Sequence, residues 1–249
     1  IVHGSGHPGG SLSVADILTV LYFNEMNIDP NNPKMEDRDR LILSKGHCSP
    51  ALYSVLANRG FFDVEDLKQF RSINSIYQGH PDMKHVPGVD MTTGSLGQGL
   101  SVANGVALAL KIDNKDSRVY CIMGDGEIEE GQVWEAAMTS SKYKLDNLCV
   151  IVDNNNLQID GTIEDVAGLN NIKEKFDAFG FNTISINGND IDEIIEAFKD
   201  ARNTKEKPTA IIAKTVKGKG VSFMENQVGW HGKAPSEEEY KMAIEELTK

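Results

Sequence analysis

Residues 118–161 read RVYCIMGDGEIEEGQVWEAAMTSSKYKLDNLCVIVDNNNLQIDG, and this stretch decides the fold. It contains two apolar runs, residues 119–123 and 148–152, and each run stops abruptly at a polar turn. Runs that are apolar on both faces are typical of parallel strands buried between helices. Residues 131–143 can supply the crossover helix that a parallel pair requires. The stretch therefore predicts a strand–helix–strand unit of a parallel sheet.

The two polar turns carry candidate ligands. Asp125 lies in the first turn, and Asn155 is the central asparagine of the second, thirty residues later. In an open parallel sheet, ligands bind beyond the carboxyl ends of the strands, so both turns should lie at one edge. Carboxylate and amide oxygens suit Mg²⁺ or Ca²⁺, and a helix N-terminus beside them suits phosphate. Taken alone, Asp125 could simply cap the next helix and Asn155 could simply lie in a tight turn. The spacing of thirty residues, from the end of one strand to the end of the next, favours a metal–diphosphate site.

The composition limits the class of protein. The chain has 249 residues, of which 37 are acidic and 25 basic, and its net charge of -12 argues against nucleic acid as a partner. No apolar run is long enough to span a membrane, and no signal peptide is visible. The three cysteines form no CxxC pair, which predicts reduced thiols in a cytoplasmic protein. The chain begins at Ile1, and we expect a short N-terminal segment to be missing.

Helices and strands alternate outside the central unit. We predict helices at residues 14–26, 50–58, 63–70, 99–112, 171–179, 190–203 and 236–247, and strands at residues 41–43, 182–186 and 209–216. A long irregular segment, residues 72–97, is expected to be functional. This pattern predicts an α/β fold: one domain over residues 1–249, with a doubly wound, mainly parallel sheet and helices on both faces.

The segment HGSGHPGG at residues 3–10 holds four glycines and a proline, which predicts a loop. His3 and His7 are four residues apart, but without a helix this spacing does not make a zinc pair. Ser13 is predicted to cap the following helix, with Asp16 completing a capping box.

Four of the six histidines lie in loops that contain glycine or proline: His7, His47, His80 and His231. One such histidine alone is more often a surface residue, but four favour hydroxyl or phosphate binding and proton transfer. Lys45 and Lys217 are the basic residues nearest these loops, and each could equally well be a solvated surface lysine or a phosphate-binding residue. No GxGxxG follows a strand and no GxxxxGK[ST] is present, so a nucleotide cofactor is not expected.

Further motifs lie outside the two turns and also indicate a cofactor-binding site. The segments are SGHPGG, DRDRLILSKGH, QGHPD, TTGSLGQGLSVANG, GDGEIEEGQVWEA, DNNNLQIDG, KTVKGKG and WHGKAP, spread from residue 5 to residue 235. GDGE followed by DNNN resembles the thiamine diphosphate motif, and the complete set resembles transketolase. The chain looks like the diphosphate-binding domain of that family standing alone, as in the N-terminal subunit of split transketolases.

The resemblance implies roles for named residues. Asp125, the side-chain oxygen of Asn155 and the backbone carbonyl of Leu157 would bind Mg²⁺ or Ca²⁺. Cofactor contacts would come from His47, Gly94, Leu96, Gly126, Lys217 and His231, with Lys45 also near the cofactor. The catalytic residues would be His7, His80 and His231, which would surround the thiazolium ring and bind sugar hydroxyls.

The resemblance also implies a reaction and a partner. The enzyme would move a two-carbon ketol unit from a ketose phosphate to an aldose phosphate, as in the pentose phosphate pathway. The glutamate that activates the cofactor, and most of the substrate-phosphate site, belong to a part of the family's sequence that this chain lacks. We therefore expect a C-terminal transketolase subunit to supply the pyrimidine-binding domain, in a homodimer of heterodimers. The helix near Gly99 and the loops at the cofactor edge are the expected contact surfaces.

Other activities stay open at this point. The alternatives are a 1-deoxyxylulose-5-phosphate synthase-like enzyme, a split transketolase for an unusual sugar, and a non-catalytic cofactor-binding protein. The KGKG and WHGK segments are closer to transketolase than to the synthase.

Overall fold

A computed structural model of the chain describes residues 4–248. Its strands form one parallel sheet in the order β1-β2-β3-β5-β4. They are β1 (Arg40–Leu43), β2 (Val119–Gly124), β3 (Leu148–Asn154), β4 (Asn182–Asn187) and β5 (Thr209–Lys214). The predicted pairing of the two apolar runs is confirmed, because β2 and β3 are neighbours at the centre of the sheet.

The α-helices lie close to their predicted positions with three exceptions: the start of the chain, residues 63–70, where a 3₁₀ turn forms instead, and the short helix at residues 163–166, which was not predicted. They are α1 (Pro8–Ser13), α2 (Ala15–Val20), α3 (Ser49–Arg59), α4 (Gly99–Ile112), α5 (Gly131–Lys142), α6 (Ile163–Val166), α7 (Ile172–Ala178), α8 (Ile191–Asn203) and α9 (Glu237–Leu247). A π-helical turn, Leu21–Glu25, continues α2, and short 3₁₀ turns cover Gly46–Cys48, Val64–Gln69, Glu127–Glu129 and Val228–Trp230. Gly60 ends α3 in the left-handed conformation, which glycine adopts more readily than other residues. Within residues 4–248, we find no helix of the length and apolarity that a membrane span requires.

Alternate residues of β1, β2, β3 and β5 enter two separate cores. Tyr120 and Ile122 of β2 pack in the core that contains residues of α2, α3 and α8. Cys121 and Met123 pack in the core that contains residues of α4, α5 and α7. Helices therefore cover both faces of the parallel sheet, and the predicted doubly wound α/β fold is confirmed.

The predicted loop at the start of the chain is wrong from Pro8 onward. Pro8 occupies the first turn of α1, where its missing N–H costs nothing, and the helix includes Gly9 and Gly10. A Cβ on Gly9 would lie 2.9 Å from the Trp230 carbonyl oxygen, and one on Gly10 would lie 2.9 Å from Cys48 Sγ. The helix packs so closely that only glycine fits at both positions, and this packing outweighs their low helix propensity.

Ser13 is not the predicted N-cap, because the helix has already begun at Pro8. Its hydroxyl donates instead to the Gly10 carbonyl at 3.1 Å and to the Asp153 carboxylate at 2.6 Å. The capping-box prediction for Ser13 and Asp16 is therefore wrong. His3, considered above with His7, lies outside the described residues.

The carboxyl ends of β1, β2, β3 and β5 meet at one edge of the sheet, next to the beginning of α1. The predicted irregular segment, residues 72–97, contains no helix or strand. The Thr93 hydroxyl donates to the Leu43 carbonyl at 2.7 Å, which attaches this irregular segment to the end of β1. The fold thus collects four strand ends, α1 and a long loop in one place.

Candidate functional site

Asp125 is a buried carboxylate directly after β2. It is 2% exposed, and the Gly126 main-chain N–H donates to its Oδ1 at 2.9 Å. The Asn156 main-chain N–H donates to its other oxygen. Burial, followed by the nearby Asp153 carboxylate, raises the pKa of Asp125 to about 7. A cation bound to Asp125 would oppose both effects, so the environment suits a positively charged ligand.

Lys45 and Asp153 form a buried ion pair below this edge, with exposures of 2% and 0%. The Lys45 ammonium also donates to the Gly10 carbonyl at 3.1 Å, and the Thr215 hydroxyl donates to the second oxygen of Asp153. Burial lowers the pKa of Lys45, but the Asp153 carboxylate outweighs it and the net shift is upward. The interpretation of Lys45 as a solvated lysine is therefore wrong, since its charge is held inside the protein.

The turn after β3 presents Asn155 and the Leu157 carbonyl. Asn155 is 8% exposed; its Oδ1 accepts from the Leu157 N–H at 3.2 Å, and its Nδ2 donates to Asp153 at 3.4 Å. Lys217 Nζ donates to the Leu157 carbonyl at 2.8 Å. Lys217 is only 1% exposed, so it too is not a solvated lysine. The carbonyl oxygen of Leu157 therefore already faces a cationic group.

Three histidines from distant parts of the chain form a cluster beside Lys217. The ring centroids lie 5.1 Å apart for His7 and His47, 5.7 Å for His7 and His231, and 5.3 Å for His47 and His231. His231 Nδ1 lies 2.9 Å from Lys217 Nζ, so a charged ammonium donates to an unprotonated ring nitrogen. His7 Nδ1 is buried and has no hydrogen-bond partner among the described residues. The cluster thus presents ring nitrogens that can still accept or donate a hydrogen bond.

Burial and positive neighbours keep these imidazoles neutral near pH 7. Burial, followed by Lys45, lowers the pKa of His47 to about 2. Burial, followed by Lys217, lowers the pKa of His231 to about 4. The same two influences act on Lys217 itself, since burial and then Lys45 lower its pKa to about 8. The site holds its positive charge on lysines and keeps the histidines neutral, so that each ring has one nitrogen that can accept a hydrogen bond and one that can donate.

His80 lies in the irregular segment rather than in the histidine cluster. A Cβ on Gly94 would lie 3.1 Å from Cδ2 of the His80 ring, so the two residues pack closely. Gly94 in turn lies against Gly46, whose own Cβ would come 2.9 Å from the Gly94 nitrogen. Leu96, two residues later, is 40% exposed. Gly94 thus lies between two histidine-bearing segments: it contacts Gly46, which precedes His47, and it contacts the ring of His80.

Glu127 holds the irregular segment against the strand ends, and the sequence patterns did not identify it. It is 3% exposed and accepts three hydrogen bonds: from the Ser44 hydroxyl, from the Gly97 N–H at 3.0 Å and from the Gly124 N–H at 3.1 Å. Its motif GDGE marks the strand end, but nothing local shows that the glutamate points inward. An acidic residue three positions after the end of a buried strand was the available signal.

The donor set fits a hard divalent cation. Within residues 4–248, no three His, Cys, Asp or Glu side chains group as metal ligands. The expected set needs no such trio, because it combines one carboxylate, one amide oxygen and one main-chain carbonyl. All three donors are oxygens, which suits Mg²⁺ or Ca²⁺ better than zinc. Gly126 lies beside them, where a Cβ would come 3.1 Å from the Gln158 side chain.

Known proteins that resemble this chain match it over almost its whole length. The sequence model of the family described as "Transketolase, thiamine diphosphate binding domain" matches residues 2–248. The 6-deoxy-6-sulfo-D-fructose transketolase subunit SqwG of Clostridium sp. (strain MSTE9) is 46% identical over 246 residues, which cover 99% of this chain and 90% of that protein. One subunit of the apulose-4-phosphate transketolase of Phocaeicola vulgatus is 45% identical over 244 residues, which cover 98% of this chain and 86% of that protein.

Among solved structures, the transketolase of Campylobacter jejuni superposes with a TM-score of 0.93 at 41% identity. The match covers 99% of this chain and 40% of that one, so our chain spans less than half of the Campylobacter protein. The resemblance that the motifs suggested is confirmed: the chain belongs to the transketolase family and carries its thiamine diphosphate-binding domain.

Proposed function

We propose that this member of the transketolase family is the diphosphate-binding subunit of a split transketolase. In this proposal it transfers a two-carbon ketol unit from a ketose phosphate to an aldose phosphate, together with a partner chain. One observation carries the proposal. Asp125 and the Asn155 turn lie at neighbouring strand ends, next to Lys217 and its neutral partner His231. Oxygen ligands for a cation and donors for an anion therefore lie side by side.

Asp125, the side-chain oxygen of Asn155 and the Leu157 carbonyl are the proposed ligands of Mg²⁺ or Ca²⁺. The raised pKa of Asp125 supports this assignment, because a divalent ion would stabilise its ionised form. A metal at the Leu157 carbonyl would compete with the Lys217 ammonium for that oxygen. Metal binding would thereby release Lys217 to contact the diphosphate.

The diphosphate itself needs local positive charge in a protein whose net charge is -12. We propose that Lys217 supplies it, while Gly126, His47 and His231 donate hydrogen bonds to the phosphate oxygens. Gly94 and Leu96 are proposed to lie along the cofactor. Their loop is attached to the same strand ends by Glu127, which supports this arrangement.

His7, His80 and His231 are the proposed substrate-contacting residues. Thiamine diphosphate, when bound, supplies the reactive carbon that makes and breaks the carbon–carbon bond. The imidazoles would orient the sugar by hydrogen bonds to its hydroxyl groups and accept or return the hydroxyl protons. The unpartnered Nδ1 of His7 supports the hydrogen-bonding role, and the lowered pKa values keep the three rings neutral, so that each can accept a hydrogen bond from a sugar hydroxyl.

A partner chain is part of the proposal. Two relatives are named as transketolase subunits, and this chain covers 90% and 86% of their lengths. We propose a C-terminal subunit that contributes the pyrimidine-binding domain, in a homodimer of heterodimers. The α4 surface supports a contact there, because Gly105 is exposed and a Cβ at this position would meet nothing within 4 Å. Another helix could therefore approach its backbone closely.

The names of these relatives also bear on the substrate. One is named for 6-deoxy-6-sulfo-D-fructose and the other for apulose 4-phosphate. This favours a sugar outside the usual pentose phosphates as a second candidate. The substrate class would still be a ketose with an anionic group at the end away from the reacting carbons.

The test is to combine the chain with its candidate partner, thiamine diphosphate and Mg²⁺, and to assay ketol transfer. Donors should include xylulose 5-phosphate with ribose 5-phosphate as acceptor, and apulose 4-phosphate and 6-deoxy-6-sulfofructose with glyceraldehyde 3-phosphate as acceptor. Transfer by the chain alone would contradict the need for a partner. Condensation of pyruvate with glyceraldehyde 3-phosphate, without ketol transfer, would identify the synthase instead. Cofactor binding without either reaction would indicate a non-catalytic protein.

Replacing Asp125 with alanine tests the metal assignment. We expect D125A to lose the Mg²⁺-dependent part of thiamine diphosphate binding, measured by calorimetry with and without the metal. D116A is the matched control, because Asp116 is exposed and follows α4 well outside the site. Retained Mg²⁺-dependent affinity in D125A would show that this carboxylate is not a ligand.

A further inference from the structure

Arg71 lies at the edge of the site in a strained backbone conformation. Its φ is 60°, in the left-handed region that residues with side chains rarely adopt. Its main-chain N–H donates to the Tyr77 carbonyl at 2.8 Å, which closes a turn over residues 71–77. The turn aims the side chain of Arg71 at the segment that carries His80.

The guanidinium group of Arg71 lies between two histidine-bearing loops. On one side it packs against Gly79, the residue before His80. A Cβ on Gly79 would lie 2.6 Å from Nη2, 2.7 Å from Cζ and 2.9 Å from Nε of Arg71. On the other side, Arg71 Nη1 donates to the Ser5 hydroxyl at 3.2 Å, two residues before His7. One side chain thus bridges the loop of His7 and the loop of His80.

Most of the hydrogen-bonding capacity of Arg71 is unused. Its Nε is buried without a partner, and the bond to Ser5 is its single side-chain hydrogen bond within residues 4–248. The charge lies over the Phe70 ring, 5.5 Å from the centroid, rather than beside a carboxylate. A guanidinium that is not neutralised by an acid acts on its neighbours as a full positive charge.

The histidines respond to that charge. Burial, followed by Arg71, lowers the pKa of His80, and no other group contributes clearly. Burial, followed by Arg71, also lowers the pKa of His7, where His80 and Lys217 add smaller contributions. The rings of His47 and His231 complete the surroundings of His7.

We propose that Arg71 is a positioning residue that ties the loop of His7 to the loop of His80 and sets the arrangement of the two imidazoles. The inference rests on the proposed function, in which both imidazoles contact the sugar. Arg71 acts through the histidines, by bridging Ser5 and Gly79 and by keeping positive charge beside both rings.

The first experiment does not depend on activity. Histidine titration by NMR compares the wild-type chain with R71Q and R71K, and with K68Q as a matched control. Lys68 is exposed and lies three residues before Arg71, so K68Q removes the same charge outside the site. In R71Q we expect the pKa of His80 to rise toward 6.5, its ordinary value, while R71K and K68Q retain the wild-type titration. An unchanged His80 titration in R71Q would overturn the proposal.

Gly79 provides a second, independent variant. Its φ is not in the left-handed region, so G79A is tolerated by the backbone, but the new methyl group would displace the guanidinium. We expect G79A to reproduce the His80 shift of R71Q, and the double variant R71Q/G79A to add nothing further. Additive shifts would show that the two residues act separately and would overturn the bridge.

Kinetics of the complex with its partner completes the test. R71Q should lower kcat/KM by about 10–100-fold, because misplaced contact groups cost rate even when the reacting groups are intact. R71K should also lose rate although it keeps the charge, since one ammonium cannot span Ser5 and Gly79. Wild-type kinetics in R71K would reduce the role of Arg71 to charge alone and overturn the positioning role. If the wild-type complex transfers no ketol unit, the proposed function fails, whereas the NMR experiments still decide whether Arg71 bridges the loops.

Discussion

Glu127 offers a direct test of how the strand ends and the irregular segment are held together. The side chain is buried and accepts from the Ser44 hydroxyl and from the N–H groups of Gly97 and Gly124. In E127Q, the amide oxygen can replace one carboxylate oxygen, but the amide nitrogen must face a donor. At least one buried N–H would then lose its partner.

The expected loss follows from the cost of unpaired buried donors. One unsatisfied main-chain N–H costs about 1–3 kcal/mol, so E127Q should lower the free energy of unfolding by that amount. E127A removes both acceptors and leaves two main-chain donors unpaired, which predicts a loss of roughly 2–6 kcal/mol. For a chain of this length, each kcal/mol lowers Tm by about 2–4 °C.

Urea unfolding followed by circular dichroism measures both changes. Because burial raises the pKa of Glu127, the assay should be run at pH 8, where the wild-type carboxylate is more fully ionised. E130Q is the matched control: Glu130 is exposed and lies three residues later, and its substitution should cost less than about 0.5 kcal/mol. An E127Q midpoint equal to that of E130Q would refute the reasoning, because it would mean that the three donors find other acceptors.

Three further changes test the buried charges and a helix end. Replacing Lys45 with methionine leaves the Asp153 carboxylate buried and unpaired, and should lower the free energy of unfolding in urea by about 3–5 kcal/mol. Adding D153N should restore part of this free energy. No restoration would contradict the pairing. The pKa of His47 is lowered in the folded chain, so its contribution to stability is complete above pH 6.5 and is lost as the pH falls toward about 2. Between pH 6.5 and pH 5 this loss approaches about 2 kcal/mol. The difference in unfolding free energy between wild type and H47N should change by that amount over the same pH range. A constant difference would show that the imidazole is exposed. S236A removes the capping box with Glu239 at the start of α9 and should cost about 0.5–2 kcal/mol, measurable as a lower Tm. An unchanged Tm would contradict a stabilising cap at this position.

Short-range patterns explain what could be predicted. The apolar runs of β2 and β3 were long enough to identify buried parallel strands, and strands of this kind place their terminal turns at one edge. The positions of Asp125 and Asn155 followed from that alone. The start of the last helix was also predictable to within a residue, because Ser236 and the glutamates after it are local signals; the structure uses Ser236 as the N-cap.

The wrong predictions share a different physical cause. Gly9 and Gly10 disfavour a helix by local propensity, but α1 is stabilised by close approach to Trp230 and Cys48, which are remote in the chain. Lys45 resembles a solvated lysine until Asp153, 108 residues later, is placed against it. A local pattern contains no information about such partners.

The sequence by itself therefore determined the parallel α/β sheet, the sheet edge where the candidate site lies, the family, and the residues that match its motifs. These depend on hydrophobic periodicity and on residue order, which are properties of the chain. Only the tertiary structure decided that Lys217 faces the Leu157 carbonyl, that three histidines meet, that Glu127 joins the loop to the strand ends, and that Arg71 bridges two loops. These contacts form only when distant parts of the chain are buried together. Burial then determines which hydrogen-bond partners each residue has and how its pKa is shifted.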